Sequence, residues 1–265
     1  MADQAPRQFD ALAAIYDATR EPMRAETVDR VSGTLRGRGV RSVLEVGVGT
    51  GRVAVPLAQR GFALTGLDAA RNMLLRAREK GLSSLAQGSA YRLPFRENAF
   101  DLTLFVHVLH MFGDPRRAIA EGIRVARRGA CALVRPAPEG VSDAGQEGDV
   151  WLAVYRVLEQ AGYPTPGTRQ GGPVLERRIL AQLPPTDVVL LTDRTVTEPY
   201  SRILDFVERG GSRALTHIPA SAVRDAVAKV RVEFGERSHT YREVEALAFW
   251  TDLGAVKMTA RDIPK

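Results

Sequence analysis

Residues 41–68, RSVLEVGVGTGRVAVPLAQRGFALTGLD, constrain the fold of this chain more than any other stretch. Residues 42–46 are mostly apolar and β-branched, which predicts a short strand, and a glycine-rich turn follows. The apolar spacing over 52–60 then predicts a helix, and residues 62–67 predict a second strand that ends at Asp68. A unit of this kind joins two parallel strands and places a ligand site at their carboxyl ends.

The glycine-rich turn excludes the two common phosphate-binding motifs. Gly47, Gly49 and Gly51 let the backbone approach a ligand closely, because they carry no side chain. A P-loop has Lys and Ser/Thr after its last glycine, and a dinucleotide fingerprint has glycine at its sixth position, where this chain has Arg52. Glu45 adds a carboxylate inside the site, which disfavours a phosphate and favours a cation.

Asp68 completes the prediction of the ligand. A carboxylate at the tip of the second strand is placed to accept hydrogen bonds from two ribose hydroxyls, each contributing roughly 1.5–3 kcal/mol. A ligand with a ribose, a positive charge and no phosphate is S-adenosylmethionine (SAM). The sequence therefore predicts SAM as cofactor and S-adenosylhomocysteine (SAH) as its product.

Four motifs in order resemble those of class I SAM-dependent methyltransferases. They are EVGVGTG at 45–51 with Asp68 beyond it, LPF at 93–95, FDLTL at 100–104 and VLH at 108–110. They resemble in particular the ubiquinone/menaquinone C-methyltransferase-like (methyltransferase type 11) branch, over residues 16–135. The resemblance implies a Rossmann-like α/β fold whose seven-stranded sheet is mostly parallel, with helices on both faces and an antiparallel last strand. It also implies methyl transfer from SAM to a small-molecule acceptor at a C, O or N nucleophile.

The resemblance further implies which residues contact the cofactor. Tyr16 lies near the methionyl carboxylate in this reading, or else packs against the sheet edge. Met73 either rests on the adenosine or is part of the core. Ser89 replaces the acid that usually binds the adenine amino group, and it makes one weaker bond. The expected cofactor-binding residues are Tyr16, Glu45, Gly47, Gly49, Gly51, Asp68, Met73, Ser89, Ala90 and Val106.

Hydrophobic periodicity and turn residues predict the other elements. Predicted helices cover 9–19, 26–35, 70–80, 116–127, 150–161, 174–183, 200–208 and 220–234. Predicted strands cover 85–87, 100–106, 131–135, 187–197 and 243–250. The nearly continuous apolar run at 100–106 is typical of a central parallel strand buried on both faces. Asp149 is predicted to cap the helix that begins at residue 150.

We expect residues 1–265 to form a single class I methyltransferase domain. The resemblance implies that helices within residues 1–40 lie over the cofactor pocket. Residues 136–185 are rich in Gly and Pro, and we expect this insertion to form a helical lid over the carboxyl edge of the sheet. Its aromatic residues, such as Trp151 and Tyr155, either line an apolar acceptor pocket or pack in the core.

Methyl transfer from a sulfonium is an in-line displacement, in which orienting the reactants alone is worth roughly 7–11 kcal/mol. A general base is needed only where the acceptor holds its proton tightly. His110 follows the fourth predicted strand, towards which the resemblance directs the methyl group, and it is the first candidate for a catalytic base. His107 is the second candidate, one helical turn earlier. The alternative is that both histidines cap a helix or line the substrate pocket.

Other site chemistries are excluded by what the sequence lacks. His107, His110 and Asp114 recur at helical spacing, but no HExxH pattern accompanies them, so no metal site is predicted. Cys131 follows Ala130 within a predicted strand, so the Pro-Cys nucleophile of 5-methylcytosine enzymes is absent. The Asn/Asp-Pro-Pro-Tyr loop of adenine- and glutamine-methylating enzymes and the G-x-S-x-G elbow of serine hydrolases are also missing.

The formal charge of +6 and the sequence pI of about 9.8 raise the hypothesis of a nucleic-acid partner. The arginines are scattered and aromatic residues are only 6%, so the pattern disfavours nucleic-acid binding. A non-catalytic or RNA-associated SAM-binding module is the alternative function, whereas the glycine spacing argues against a nicotinamide-dependent oxidoreductase. No apolar run reaches the ~18 residues of a membrane span, and one cysteine is typical of a reducing compartment, so we expect a cytoplasmic protein.

Overall fold

Seven strands form one sheet in the computed structural model, which describes residues 5–20, 22–136, 146–165 and 172–252. The strands are β1 (Ser42–Val46), β2 (Ala63–Asp68), β3 (Leu85–Gln87), β4 (Leu102–Val106), β5 (Ala130–Val134), β6 (Asp187–Pro199) and β7 (Ser238–Trp250). Their order is β3-β2-β1-β4-β5-β7-β6. Neighbours from β3 to β5 pair in parallel, and β7 is antiparallel to both β5 and β6. The predicted α/β sheet with an antiparallel last strand is confirmed.

Helices cover both faces of this sheet. They are α1 (Ala5–Leu12), α2 (Tyr16–Thr19), α3 (Ala25–Gly37), α4 (Ala54–Gln59), α5 (Arg71–Glu79), α6 (Pro115–Val125), α7 (Gln146–Gln160), α8 (Gly172–Gln182), α9 (Ser201–Glu208) and α10 (Ala220–Phe234). One core cluster packs α3, α4 and α5 onto the face that carries Val43 and Leu104. A second packs α6 and α8 onto the face that carries Leu44 and Phe105. Successive strand residues point to opposite faces, so both faces are buried, as the apolar central strands require.

The helix predicted over residues 9–19 is wrong as a single element. α1 ends at Leu12 and α2 begins at Tyr16, with a turn between them. The turn lets Ala13 pack on Met73 while the next helix reaches the glycine-rich turn, so tertiary contacts override the helical periodicity. The predicted cap at Asp149 is also wrong, because α7 begins at Gln146 and contains that residue.

β6 and β7 are longer than predicted and extend the sheet at its carboxyl edge. β7 pairs with β5 only over residues 246–250, whereas its pairing with β6 continues back to Ser238 opposite Pro199. The added ends of the two strands are polar (EP and SHTYR), so the apolar pattern did not extend the predicted strands over them. α9 and α10 lie between the two strands in the chain, so the ribbon carries them beyond the edge of the sheet.

A third apolar cluster joins helices that are far apart in sequence. α7, α9 and α10, which we call the helical cap, bury their apolar faces against one another. Trp151 and Tyr155 are 3% and 2% exposed, so they belong to the core of the cap. α8, the second helix of the predicted insertion, packs on the sheet instead, and Trp250 Nε1 donates to the carbonyl of Leu183 at 3.0 Å.

Parts of the predicted domain ranges lie outside the described residues. These are residues 1–4 and 21 of the N-terminal helices, 137–145 and 166–171 of the insertion, and 253–265 at the end of the chain.

Candidate functional site

Three glycines in the left-handed region form the turn between β1 and α4. The φ angles of Gly47, Gly49 and Gly51 are 75°, 54° and 78°. A Cβ added to Gly47 would lie 3.0 Å from Val108 Cγ1, and one added to Gly51 would lie 2.9 Å from Val55 Cγ2. These positions therefore accept a side chain only with strain, and bare backbone lies at the carboxyl end of β1.

Asp68, the last residue of β2, lies directly against this turn. One of its carboxylate oxygens accepts a hydrogen bond from the Gly49 amide at 2.8 Å, and the other accepts from the Ala70 amide at 2.8 Å. Burial raises the pKa of Asp68, although these amides act in the opposite direction. A carboxylate offers about four lone-pair positions, so this one can still accept hydrogen bonds from a ligand.

Glu45, on the neighbouring strand, is a buried carboxyl group beside Asp68. It is 2% exposed, and its Oε2 has no hydrogen-bond partner among the described residues. Burial, and then the charge of Asp68, raise the pKa of Glu45 to about 8. A buried acceptor without a partner costs about 1–3 kcal/mol, and a ligand that brings a positive charge or a donor would remove that cost.

The N-terminal segment closes over the glycine-rich turn. Thr50 Oγ1 donates to Asp17 Oδ1 at 2.7 Å, and Lys80 Nζ lies 2.6 Å from Asp17 Oδ2. Met73 is 1% exposed and packs beneath this segment, with Tyr16 partly buried against the same cluster. The structure thus brings the predicted residues Tyr16 and Met73 together beside the turn.

Among the other predicted cofactor-binding residues, Ser89 and Ala90 lie just after β3, and Val106 is the last residue of β4. Ser89 is exposed, and its Oγ accepts from the Tyr91 amide at 3.2 Å, so the hydroxyl can still donate to a ligand. Ala90 packs against the core cluster on the α6 face, whereas Val106 packs against the cluster on the α3 face.

His107 leaves β4 in a strained conformation. Its φ is 49°, in the left-handed region, and its amide donates to the carbonyl of Leu133 at 3.1 Å. Its Nε2 is buried and has no partner among the described residues. Burial, and then the charge of Arg135, lower the pKa of His107 to about 3, so the imidazole is neutral at pH 7.

His110 lies on the next short 3₁₀ turn and contacts a buried acid. Its Nδ1 is 3.1 Å from Oε1 of Glu176, a residue of α8 that is 2% exposed. Oε2 of Glu176 accepts from the Arg135 amide at 2.5 Å, and Oε1 is also 4.0 Å from His107 Nδ1. The structure therefore brings both predicted catalytic histidines around one carboxylate.

Glu176 and the acids of β7 were not predicted from the sequence. Glu245 is fully buried, and its carboxylate binds Arg135 Nη2 at 2.6 Å, Arg24 Nη2 at 3.2 Å and Thr27 Oγ1 at 2.8 Å. These bonds join α3 and the end of β5 to β7. One feature of the sequence could have indicated such buried acids, namely an acidic residue within an otherwise apolar strand, as in EVEALAFW.

Within the part of the chain that the structure describes, no group of three or more His, Cys, Asp or Glu side chains is arranged to hold a metal ion. None of the helices in the same ranges has the length and apolar character needed to cross a bilayer.

The sheet order and the site at its carboxyl edge define a Rossmann-like methyltransferase fold. The crystal structure of YcgJ from Bacillus subtilis superposes with a TM-score of 0.56 over 86% of this chain and 100% of that protein. The two sequences are 19% identical, so this likeness concerns the fold alone.

Residues 44–134 match the sequence model of the methyltransferase domain family, which confirms the predicted family resemblance for this part of the chain. A phosphatidylethanolamine N-methyltransferase from Cereibacter sphaeroides is 37% identical over 46% of this chain and 62% of its own length. A demethylmenaquinone methyltransferase from Renibacterium salmoninarum is 32% identical over 50% of this chain and 58% of its own length. The chain thus spans about three-fifths of the length of these relatives.

Proposed function

We propose that this protein is a SAM-dependent methyltransferase that acts on a small-molecule acceptor. The observation that carries the proposal is the pairing of the Gly49 amide with Asp68 beside the unpartnered carboxyl group of Glu45. The pairing holds the Asp68 carboxylate, which has spare lone pairs, at the carboxyl edge of the sheet. Glu45 favours a positively charged ligand there. Both relatives carry names of methyltransferases whose acceptors are not macromolecules, which supports the small-molecule part.

The residues present fit the chemistry of this cofactor. Asp68 would accept hydrogen bonds from the ribose hydroxyls, and Glu45 would face the positively charged end of the ligand. SAM supplies an activated methyl group on its sulfonium. The protein contributes orientation and the exclusion of water, which need no special nucleophile on the chain.

We also propose that two parts of the chain close the site. α1 and α2 lie over the glycine-rich turn, held by the contacts of Asp17 with Thr50 and Lys80. Arg20 Nη1 donates to the carbonyl of Gly211 at 3.2 Å, and its guanidinium lies 4.5 Å from the centre of the Phe206 ring. The N-terminal segment is thereby tied to the helical cap, so in this proposal both move when ligands enter.

SAH is expected to raise the melting temperature of the protein, because a ligand that binds only the folded state stabilises it. At an SAH concentration of about 100 times the dissociation constant, the free energy of unfolding rises by about 2.7 kcal/mol. This corresponds to a rise in melting temperature of roughly 5 °C or more for a chain of this size. Differential scanning fluorimetry measures the shift. NADH, with its two phosphates, is the control and should give none; a shift with NADH instead of SAH would contradict the proposal.

Transfer itself is tested separately from binding. Incubation with SAM that carries a labelled methyl group, together with mixed phenols and amines, should give a labelled small molecule. RNA binding that falls steeply with salt concentration, together with SAH binding and no labelled product, would instead favour the non-catalytic or RNA-associated module.

A further inference from the structure

Among the described residues, the buried carboxylate of Glu176 contacts the Arg135 amide and the imidazoles of His110 and His107. It reaches the carboxyl edge of the sheet from α8, outside the segment that matches the methyltransferase domain. One oxygen is used by the Arg135 amide at 2.5 Å, and the other faces His110 Nδ1 at 3.1 Å. Burying a carboxylate is costly unless it is hydrogen-bonded, so the contact with the imidazole is part of what holds this group in place.

The contact determines which nitrogen of His110 carries the proton. A carboxylate oxygen only accepts hydrogen bonds, so Nδ1 of His110 must be the donor. In a neutral imidazole the other nitrogen, Nε2, is then an unprotonated acceptor. The side chain of His110 is 24% exposed, so a small molecule can reach it.

The segment that carries His110 lies against the proposed cofactor site. A Cβ added to Gly47 would lie 3.0 Å from Val108 Cγ1, which places the 107–110 segment beside the turn. A proton acceptor at His110 is therefore on a segment that borders the proposed ligand site.

His107 does not fulfil the same task, although it lies on the same segment. Its pKa of about 3, set by burial and by Arg135, leaves it without a proton at neutral pH and makes it a weak base. The charged and titratable groups that act on His107 are Arg135, Glu176, Arg52 and His110. Of these, only the carboxylate of Glu176 favours a proton on the imidazole that it contacts.

We infer that Glu176 is a positioning residue, which holds His110 so that its Nε2 takes the proton of a hydroxyl acceptor such as a phenol or an enol. The inference rests on the proposed methyltransferase function and adds the class of acceptor to it. As the acceptor oxygen forms its bond to the methyl carbon, its proton passes to Nε2 of His110. The carbon–sulfur bond breaks with its electron pair left on sulfur, which becomes a neutral thioether. The imidazolium is stabilised by Glu176 and later releases its proton to water.

The tautomer of His110 tests this inference without any acceptor. The full chain contains four histidines, so long-range ¹H–¹⁵N spectra of the labelled protein resolve few signals, and His110→Gln assigns the relevant one. We expect His110 to be protonated on Nδ1 in the unmodified protein. Protonation on Nε2 there would by itself overturn the inference.

Glu176→Gln separates positioning from a structural role. The amide oxygen can still accept from the Arg135 amide, but its NH₂ group then faces His110 and requires Nδ1 to be the acceptor. We expect the proton of His110 to move to Nε2 while the melting temperature changes little. Glu233→Gln, at an exposed position of α10, is the control and should leave the tautomer unchanged. An unchanged tautomer in folded Glu176→Gln would overturn the inference.

Catalysis gives the second readout. The probes are catechol, 4-hydroxybenzoate and phenethylamine. The inference is supported if a phenol is methylated and if Glu176→Gln lowers kcat about tenfold or more while KM for SAM is unchanged. Methylation of the amine alone, with equal rates in both proteins, overturns it. If SAH fails to bind at all, the proposed function itself is wrong, whereas bound SAH with the wrong tautomer contradicts only this inference.

Discussion

Replacing Asp68 with alanine is expected to weaken SAH binding by about a hundredfold or more. The variant loses two hydrogen bonds from ribose hydroxyls to a charged acceptor, each worth roughly 1.5–3 kcal/mol. It also loses the acceptor that holds the amides of Gly49 and Ala70, so the turn itself is less ordered. Isothermal titration calorimetry with SAH measures the change.

The control is Asp225→Ala, on the exposed face of α10. It removes the same charge from the chain and should bind SAH as the unmodified protein does. Circular dichroism and thermal unfolding of the ligand-free variants establish that Asp68→Ala is folded. A folded Asp68→Ala protein with nearly normal affinity would remove Asp68 from the ribose site.

Replacing Glu45 with glutamine is expected to make the ligand-free protein more stable above pH 4.5. The pKa of this carboxyl group is about 8 in the folded state, whereas the ordinary pKa of an exposed glutamate is 4.5. Its proton therefore favours the folded state fully below pH 4.5, and this contribution is lost as the pH rises towards 8. Glutamine stays neutral, so the variant avoids a loss of about 3 kcal/mol at pH 7.

Denaturant unfolding between pH 4 and 9 measures this effect as the difference between the two proteins. The difference isolates Glu45, because His107, whose pKa is lowered to about 3, contributes an opposite trend to both curves. We expect the gap to be small at pH 4, to widen up to pH 8 and then to level off. Parallel curves would show that Glu45 is ionised in the ligand-free protein. SAH should bind the variant more weakly, because the carboxylate that faces its cationic amino group is gone.

The regular elements were predictable where periodicity and turn chemistry agreed. α10 and β3 have the predicted bounds, because apolar spacing and flanking turn residues mark both ends. The strand–helix–strand unit was predictable for a similar reason, since positive φ angles and close side-chain neighbours favour glycine at positions 47 and 51.

What the sequence did not reveal depends on contacts between distant segments. The break between α1 and α2 follows from the packing of Ala13 and Tyr16 on Met73, about sixty residues away. The helical cap joins α7 to α9 and α10, and no local pattern indicates that partnership.

Only the proposed cofactor-binding part of the candidate site could be predicted from the sequence. Glu45, Asp68 and the glycines lie within one short stretch of sequence, so their spacing predicts their proximity. Glu176 comes from a helix 66 residues after His110, and its neighbours Arg177 and Arg178 make it look like one charge of a solvated face. Its burial becomes evident only when α8 is packed on the sheet.

A crystal structure of the complex with SAH is the most direct test of the central claim. The account predicts the ribose between the glycine-rich turn and Asp68, with both hydroxyls within hydrogen-bond distance of that carboxylate and the amino group of SAH near Glu45. Electron density for SAH at another edge of the sheet, or an Asp68 carboxylate that touches no part of the ligand, would contradict it.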